Sequence, residues 1–206
     1  MAHQPVKKRV DYEKKFSNEL QEVLKYAIDE LSSDFPFVSI DFDIFLLSAL
    51  ECKDCMLYKS VNSFLNTISI EEIHDSLYLR IKDANINPVR PGRTIRNYFI
   101  KANDIVEQKD FAKITSDVVF LSFMKNTSDN NETKKLFLMK GYTENVAEEK
   151  TDTLQATLFR ISEMSDNEIM AMEEDPEMKT VITREDIIKE TKTTEKKEFK
   201  SIDFCR

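Results

Sequence analysis

Ile40-Asp41-Phe42-Asp43-Ile44-Phe45-Leu46-Leu47-Ser48-Ala49-Leu50 returns further along the chain as Ile114-Thr115-Ser116-Asp117-Val118-Val119-Phe120-Leu121-Ser122-Phe123-Met124. In each stretch an Asp stands three residues after an Ile, and an apolar run then reaches Leu-Ser. Upstream, Leu20, Val23, Leu24, Ala27 and Leu31 are echoed by Ile95, Tyr98, Phe99, Ala102 and Val106. A helical unit written twice is expected to bury one face of each copy against the other in a shared core.

Working outward, Phe16, Leu20, Val23, Leu24, Ala27, Ile28 and Leu31 have the spacing of an amphipathic helix. Pro36 lies in the loop that follows, and Asp41 or Asp43 is placed to cap a second helix running to about Leu50. Leu57, Val61, Phe64 and Leu65 mark a third. Ser69 followed by Glu72 reads as a capping box opening a fourth, with Ile70, Ile73, Leu77 and Ile81 on one face. Lys82 to Gly92, with Pro88 and Pro91, joins the copies. The second copy starts near Arg93, caps its second helix with Thr115 or Ser116, and holds Leu136 to Met139 in its third. Gly141 is suited to end that helix, and Thr143 to start a fourth. The polar stretch from Asn126 to Asn131 is a loop. The expected fold is therefore all-α: two tandem four-helix repeats with pseudo-two-fold symmetry. The expected layout is a basic arm (1–14), a double repeat (15–160; repeat 1 about 15–82, repeat 2 about 93–150), and an acidic flexible linker (161–206).

Composition fits this division. The chain has 206 residues, only 2 Gly and 5 Pro, and 33% charged residues. So few turn formers argue against a β fold, and so much charge argues for a polar segment beside the core. From Glu148 to Arg206 there are 16 acidic and 10 basic residues, most of the chain's net charge of -8. A stretch of this kind buries too little apolar surface to offset its chain entropy. The acidity argues against nucleic acid as a partner, and no apolar run approaches the ~18 residues of a membrane span. The start of the chain lacks the apolar core of a secretory signal, and three cysteines make no disulfide framework, so the expected setting is the cytoplasm.

Two four-helix units, each with the pattern Ile, two residues, acid, apolar run, Leu-Ser, resemble the amino-terminal domain of Clp-type unfoldases, the ATPases of the ClpA and ClpC kind. The resemblance covers roughly Phe16 to Glu149. Lys140-Gly141-Tyr142-Thr143 is similar to the family's Leu-Gly-Val-Asp before its last helix, and Phe199 to Arg206 resembles the segment before the first ATPase module. Where the family has Gly-Thr-Glu-His, this chain has Asp41-Phe42-Asp43-Ile44 and Thr115-Ser116-Asp117-Val118. The first copy has Asn66-Thr67 in place of the Gly before its fourth helix.

The chain has no phosphate-binding loop. The resemblance therefore implies a recognition module without ATPase activity of its own. It would dock protein substrates or adaptor proteins for ATPase modules of the same longer chain. In the ClpC group the matching acids bind the guanidinium of phosphorylated arginine. By position, that implies one site at Asp43 with Lys15, Phe16 and Ser17, and another at Asp117 with Arg93 and Thr94. A carboxylate suits this task, since it accepts a bidentate charged bond. Both Asp residues equally suit plain helix capping. Some relatives instead grip a helix of a contractile sheath subunit in secretion machinery, and that partner is kept as an alternative. A stand-alone helical adaptor scaffold is another. Phe35 and Phe37, either side of Pro36, are candidates for a partner-binding patch.

Cys52-Lys-Asp-Cys55 has zinc-like spacing but no second pair, and with only His3 and His74 in the chain no metal and no cofactor is expected. The two cysteines read as small apolar fillers at a turn. The aromatics Phe42, Phe45, Phe64, Phe99, Phe111, Phe120, Phe123 and Phe137 are expected in the core, and His74 at the surface. No nucleophile–base pair is visible, so the chain is not expected to be an enzyme.

Overall fold

The computed structural model describes residues 12–31, 40–84 and 94–163. Phe35, Phe37, Arg93, most of the basic arm, the joint between the copies and the acidic stretch from residue 164 onward lie outside the described residues. All regular structure among the described residues is helical. Eight α-helices follow one another: α1 (Asn18–Tyr26), α2 (Phe42–Glu51), α3 (Met56–Asn62), α4 (Thr67–Ala84), α5 (Thr94–Lys109), α6 (Ser116–Asn126), α7 (Glu132–Leu138) and α8 (Glu144–Glu163). A π-helical segment, Ala27–Leu31, continues α1, and a 3-10 turn, Tyr12–Lys15, precedes it. The helical body takes in the end of the arm, and α8 runs three residues into the stretch assigned to the linker.

Side-chain caps set most of the helix starts. Ser17 accepts from the Leu20 amide, Asp41 from Ile44, and Asn131 from Lys134, each satisfying a backbone N–H that the first turn leaves open. Asp41, not Asp43, is thus the cap of α2. The α4 start departs from the sequence reading: Asn66 accepts from the Ser69 amide, so Ser69 lies inside the helix rather than at its cap. Cys55 is more than a filler. Its thiol accepts from the Tyr58 amide at the start of α3 and donates to the Ala49 carbonyl.

Helices α2 and α6 are the most buried elements. Ile44 to Leu50 in α2 and Ser116 to Met124 in α6 are buried throughout. Each holds its neighbour by the same device. Ser48 Oγ donates to the Val23 carbonyl on α1 at 2.6 Å, and Ser122 Oγ donates to the Tyr98 carbonyl on α5 at 2.9 Å. Bonding a helix-interior serine to the next helix satisfies a hydroxyl that burial would otherwise penalise.

Aromatic rings join the earlier helices to the later ones. Phe42 stacks on Phe123 with centroids 4.0 Å apart, and Phe16 lies 5.0 Å from Phe99. Phe120, Phe137 and Tyr142 form a second cluster. Two aromatics depart from expectation: Phe64 is 44% exposed, covering the edge of Tyr142, and Phe111 is half-buried. No helix among the described residues is long and apolar enough to cross a membrane.

Gly141 ends α7, as its position after the apolar residues predicts. Its φ is +78°, and the Tyr142 amide reaches back to the Phe137 carbonyl while the Gly141 amide bonds Leu138. A Cβ at this position would meet only Phe64, at an ordinary 4.0 Å. Gly141→Ala is therefore expected to lose about 1 kcal/mol through backbone strain alone. Urea denaturation checks this, and a loss above ~2 kcal/mol would point to a steric clash instead.

Candidate functional site

Asp43 and Asp117 occupy equivalent places, each second in its helix, yet their surroundings differ completely. Asp43 lies half-exposed where α2, α4 and α7 meet. One carboxylate oxygen pairs with the Arg80 guanidinium of α4, and the other accepts from Thr133 Oγ1 of α7 at 2.6 Å. Arg80 also donates to Thr133 Oγ1 at 2.6 Å, closing a triangle of charge-assisted bonds. The guanidinium partner of Asp43 is thus a residue of the same chain. Arg80 Nη1 lies buried without a hydrogen-bond partner among the described residues.

Asp117 is only 1% exposed, and neither carboxylate oxygen closes a hydrogen bond of normal geometry. Burial pushes its pKa from the ordinary 3.8 to about 6. The Thr115 hydroxyl, the backbone amides of Asp117 and Val118 and the Gln155 amide oppose that rise from nearby. Thr115, at the N-cap of α6, does not cap with its side chain; its Oγ1 accepts from Gln155 of α8 at 2.8 Å.

Lys15, Phe16 and Ser17, grouped with Asp43 by sequence position, bond other residues: Lys15 with Glu107, the Phe16 carbonyl with Gln21, and Ser17 with Glu19 and Leu20. They run alongside the segment leading into α6: the Ser17 amide donates to the Ile114 carbonyl at 2.9 Å, and the Ile114 amide to the Lys15 carbonyl at 2.8 Å. Lys15 Nζ pairs with Glu107 of α5 at 2.9 Å. Thr94 opens α5.

The residue that gathers this region is Glu19, which pattern reading passed over. Its carboxylate accepts from four donors on three elements. Ser17 Oγ donates at 2.9 Å and the Met56 amide at 3.2 Å. The Ser116 amide and Ser116 Oγ each donate at 2.7 Å. The Leu57 amide in turn donates to Ser116 Oγ at 2.9 Å. One carboxylate thereby ties the starts of α1, α3 and α6. Burial, with Asp117 adding to it, raises Glu19 from an ordinary 4.5 to about 7 although these donors favour the charged form. From sequence, Glu19 is an ordinary first-turn acid; two of its four hydrogen bonds come from Ser116, 97 residues away.

The remaining chemistry-bearing groups are quiet. Burial, then Glu19, pushes the Cys52 thiol up to about 12, and Cys55 moves the same way for the same reasons, so neither is an activated nucleophile. His74 bonds Glu51 at 2.5 Å and Asp75 at 3.3 Å on the outside of α4. Among the described residues no cluster of His, Cys, Asp and Glu is placed to hold a metal ion. What the surface does offer is apolar. Phe64, Ile68, Leu79, Ile100, Met139 and Phe159 are exposed, and Lys140 pairs with Glu72.

Comparison of the chain with known protein families, with curated proteins and with solved structures returned no match.

Proposed function

We propose that this chain is a duplicated helical docking domain of the Clp amino-terminal kind, which presents protein substrates or adaptors to an ATPase carried on the same longer chain. The observation that carries the reading is the recurrence of one bond at equivalent places. Ser48 to Val23 and Ser122 to Tyr98 link residues that the sequence echo already aligned. A second pairing supports two-fold symmetry: the start of α3 meets α6 through Leu57 and Ser116, and the start of α7 meets α2 through Thr133 and Asp43.

The proposed cargo contact is apolar rather than ionic. Asp43 already holds Arg80, and Asp117 is inside, so neither carboxylate is free for an incoming guanidinium. Phe64, Ile68, Leu79 and Met139 instead suit the apolar face of an amphipathic helix, which favours a helical segment of the cargo, as in the sheath-gripping relatives. Fluorescence anisotropy with a labelled amphipathic helical peptide tests this against a phosphoarginine peptide. The double variant Ile68→Ser, Met139→Ser is expected to weaken helical-peptide binding at least about tenfold, the loss of two buried apolar contacts. Tight phosphoarginine binding that Asp43→Ala abolishes would reverse the choice of cargo. Binding of neither peptide would remove the docking reading and leave the helical scaffold. The attached motor has its own check: the coding sequence downstream of Arg206 should contain a phosphate-binding loop.

A further inference from the structure

Helix α8 packs on α6 through a face that is half polar. Ala147, Thr151, Leu154 and Gln155 are its buried residues, and Thr151 and Gln155 are polar. Helix α6, in contrast, is buried without a break from Ser116 to Met124. The two helices run antiparallel. Gln155 donates to Thr115 Oγ1 at 2.8 Å at the start of α6, and Glu148 pairs with Lys125 at 2.8 Å at its end. Lys109, at the end of α5, adds pairs with Glu148 at 2.8 Å and Asp152 at 2.7 Å. The four side chains of this network are 25% to 46% exposed. Ion pairs so placed contribute little each and are screened by salt. The turn before α8 is seated more firmly: Tyr142 is fully buried, and its hydroxyl bonds Ser60 at 2.5 Å. Beside the Gln155 amide lies the carboxyl of Asp117, itself 1% exposed.

We propose that α8 is a strap: anchored at Tyr142, it opens as one unit while the rest of the fold stays intact, and its opening gives solvent and ligands their access to Asp117. Ala147 and Leu154 are the buried apolar side chains it withdraws, so little apolar surface of its own returns to water. Thr151, Gln155, Glu148 and Asp152 exchange protein partners for water at small net cost. The apolar surface uncovered on α6 keeps the closed state dominant; Val118 stands there between Thr115 and Lys125, on the same face by helical spacing. The strap does not depend on what the domain docks.

Native-state hydrogen exchange on the full-length chain reads the strap directly, since a unit that opens by itself exchanges ahead of global unfolding. Amides from Thr151 to Leu158 are expected to show protection about hundredfold lower than those from Val118 to Leu121. Raising sodium chloride from about 0.05 M to about 0.5 M should lower protection in α8 about threefold further and leave α6 unchanged. In the double variant Lys109→Met, Lys125→Met, α8 should lose about tenfold, and carbodiimide with a small amine should modify Asp117 about tenfold faster than in the unaltered chain. One common protection level across α8 and α6 overturns the strap, and so does an equal loss in both helices when salt is raised or the lysines are replaced. Asp117 modified no faster in a variant whose α8 has loosened overturns the role of α8 as its cover. Should the double variant fail to fold, the comparison of the two helices in the unaltered chain decides alone.

Discussion

Replacing Glu19 with alanine is expected to destabilise the fold by about 3 kcal/mol, the upper range for leaving the hydrogen-bond partners of a half-buried group unsatisfied. The truncation leaves four donors without their acceptor: two backbone amides, on Met56 and Ser116, and two hydroxyls, on Ser17 and Ser116. Water reaching the half-exposed side of α1 can satisfy some of them, which keeps the loss below the sum of four separate penalties. Glu19→Gln separates the hydrogen bonds from the charge. It keeps one accepting oxygen but turns an amide NH2 toward donors, so about half the loss is expected, together with a flatter pH profile. Urea denaturation near pH 6 measures both variants. A loss under ~1 kcal/mol for Glu19→Ala would mean that the three helix starts are held by packing alone.

Phe120→Ala is expected to cost about as much, roughly 3–5 kcal/mol, for a different reason. The ring is 1% exposed, and its centroid lies 4.8 Å from Phe137, 5.9 Å from Tyr142 and 6.0 Å from Phe123. Those neighbours sit on α7, on the turn before α8 and on α6 itself, so they cannot collapse together into the space left behind. The cavity is then charged at nearly its full value. Phe64→Ala is the contrast. Its ring is 44% exposed and packs edge-on to Tyr142, so a loss of about 1 kcal/mol is expected. Equal losses at the two positions would contradict the placement of both rings.

The helical class and most helix positions were legible because the apolar period and the punctuation agree. Leu20, Val23, Leu24 and Ala27 are buried as their spacing predicts, and Gly141 ends α7 with the positive φ that favours glycine. Open choices and the one misread cap fell where two residues compete for one role. Asp41 and Asp43 both suit a cap, and so do Asn66 and Ser69. The choice rests on which side chain reaches the open amide, a matter of a few ångströms that no spacing rule resolves.

The candidate site was less legible, because its chemistry is made by chain segments far apart in sequence. Asp43 and Asp117 share a pattern, yet one meets Arg80 and Thr133 at the edge while the other is sealed inside. A shared pattern in sequence implies similar helices, not similar neighbours, since the residues packed against each stretch differ.

By itself the sequence determined that this chain is helical, where most of its helices run, and which faces they bury, because these depend on contacts three and four residues apart. Only the tertiary structure decided that Arg80 occupies Asp43, that Asp117 loses its water, and that Glu19 ties three helix starts. Charge and burial are set by whatever arrives from elsewhere in the chain, and a carboxylate's character changes with that surrounding while its place in the pattern does not.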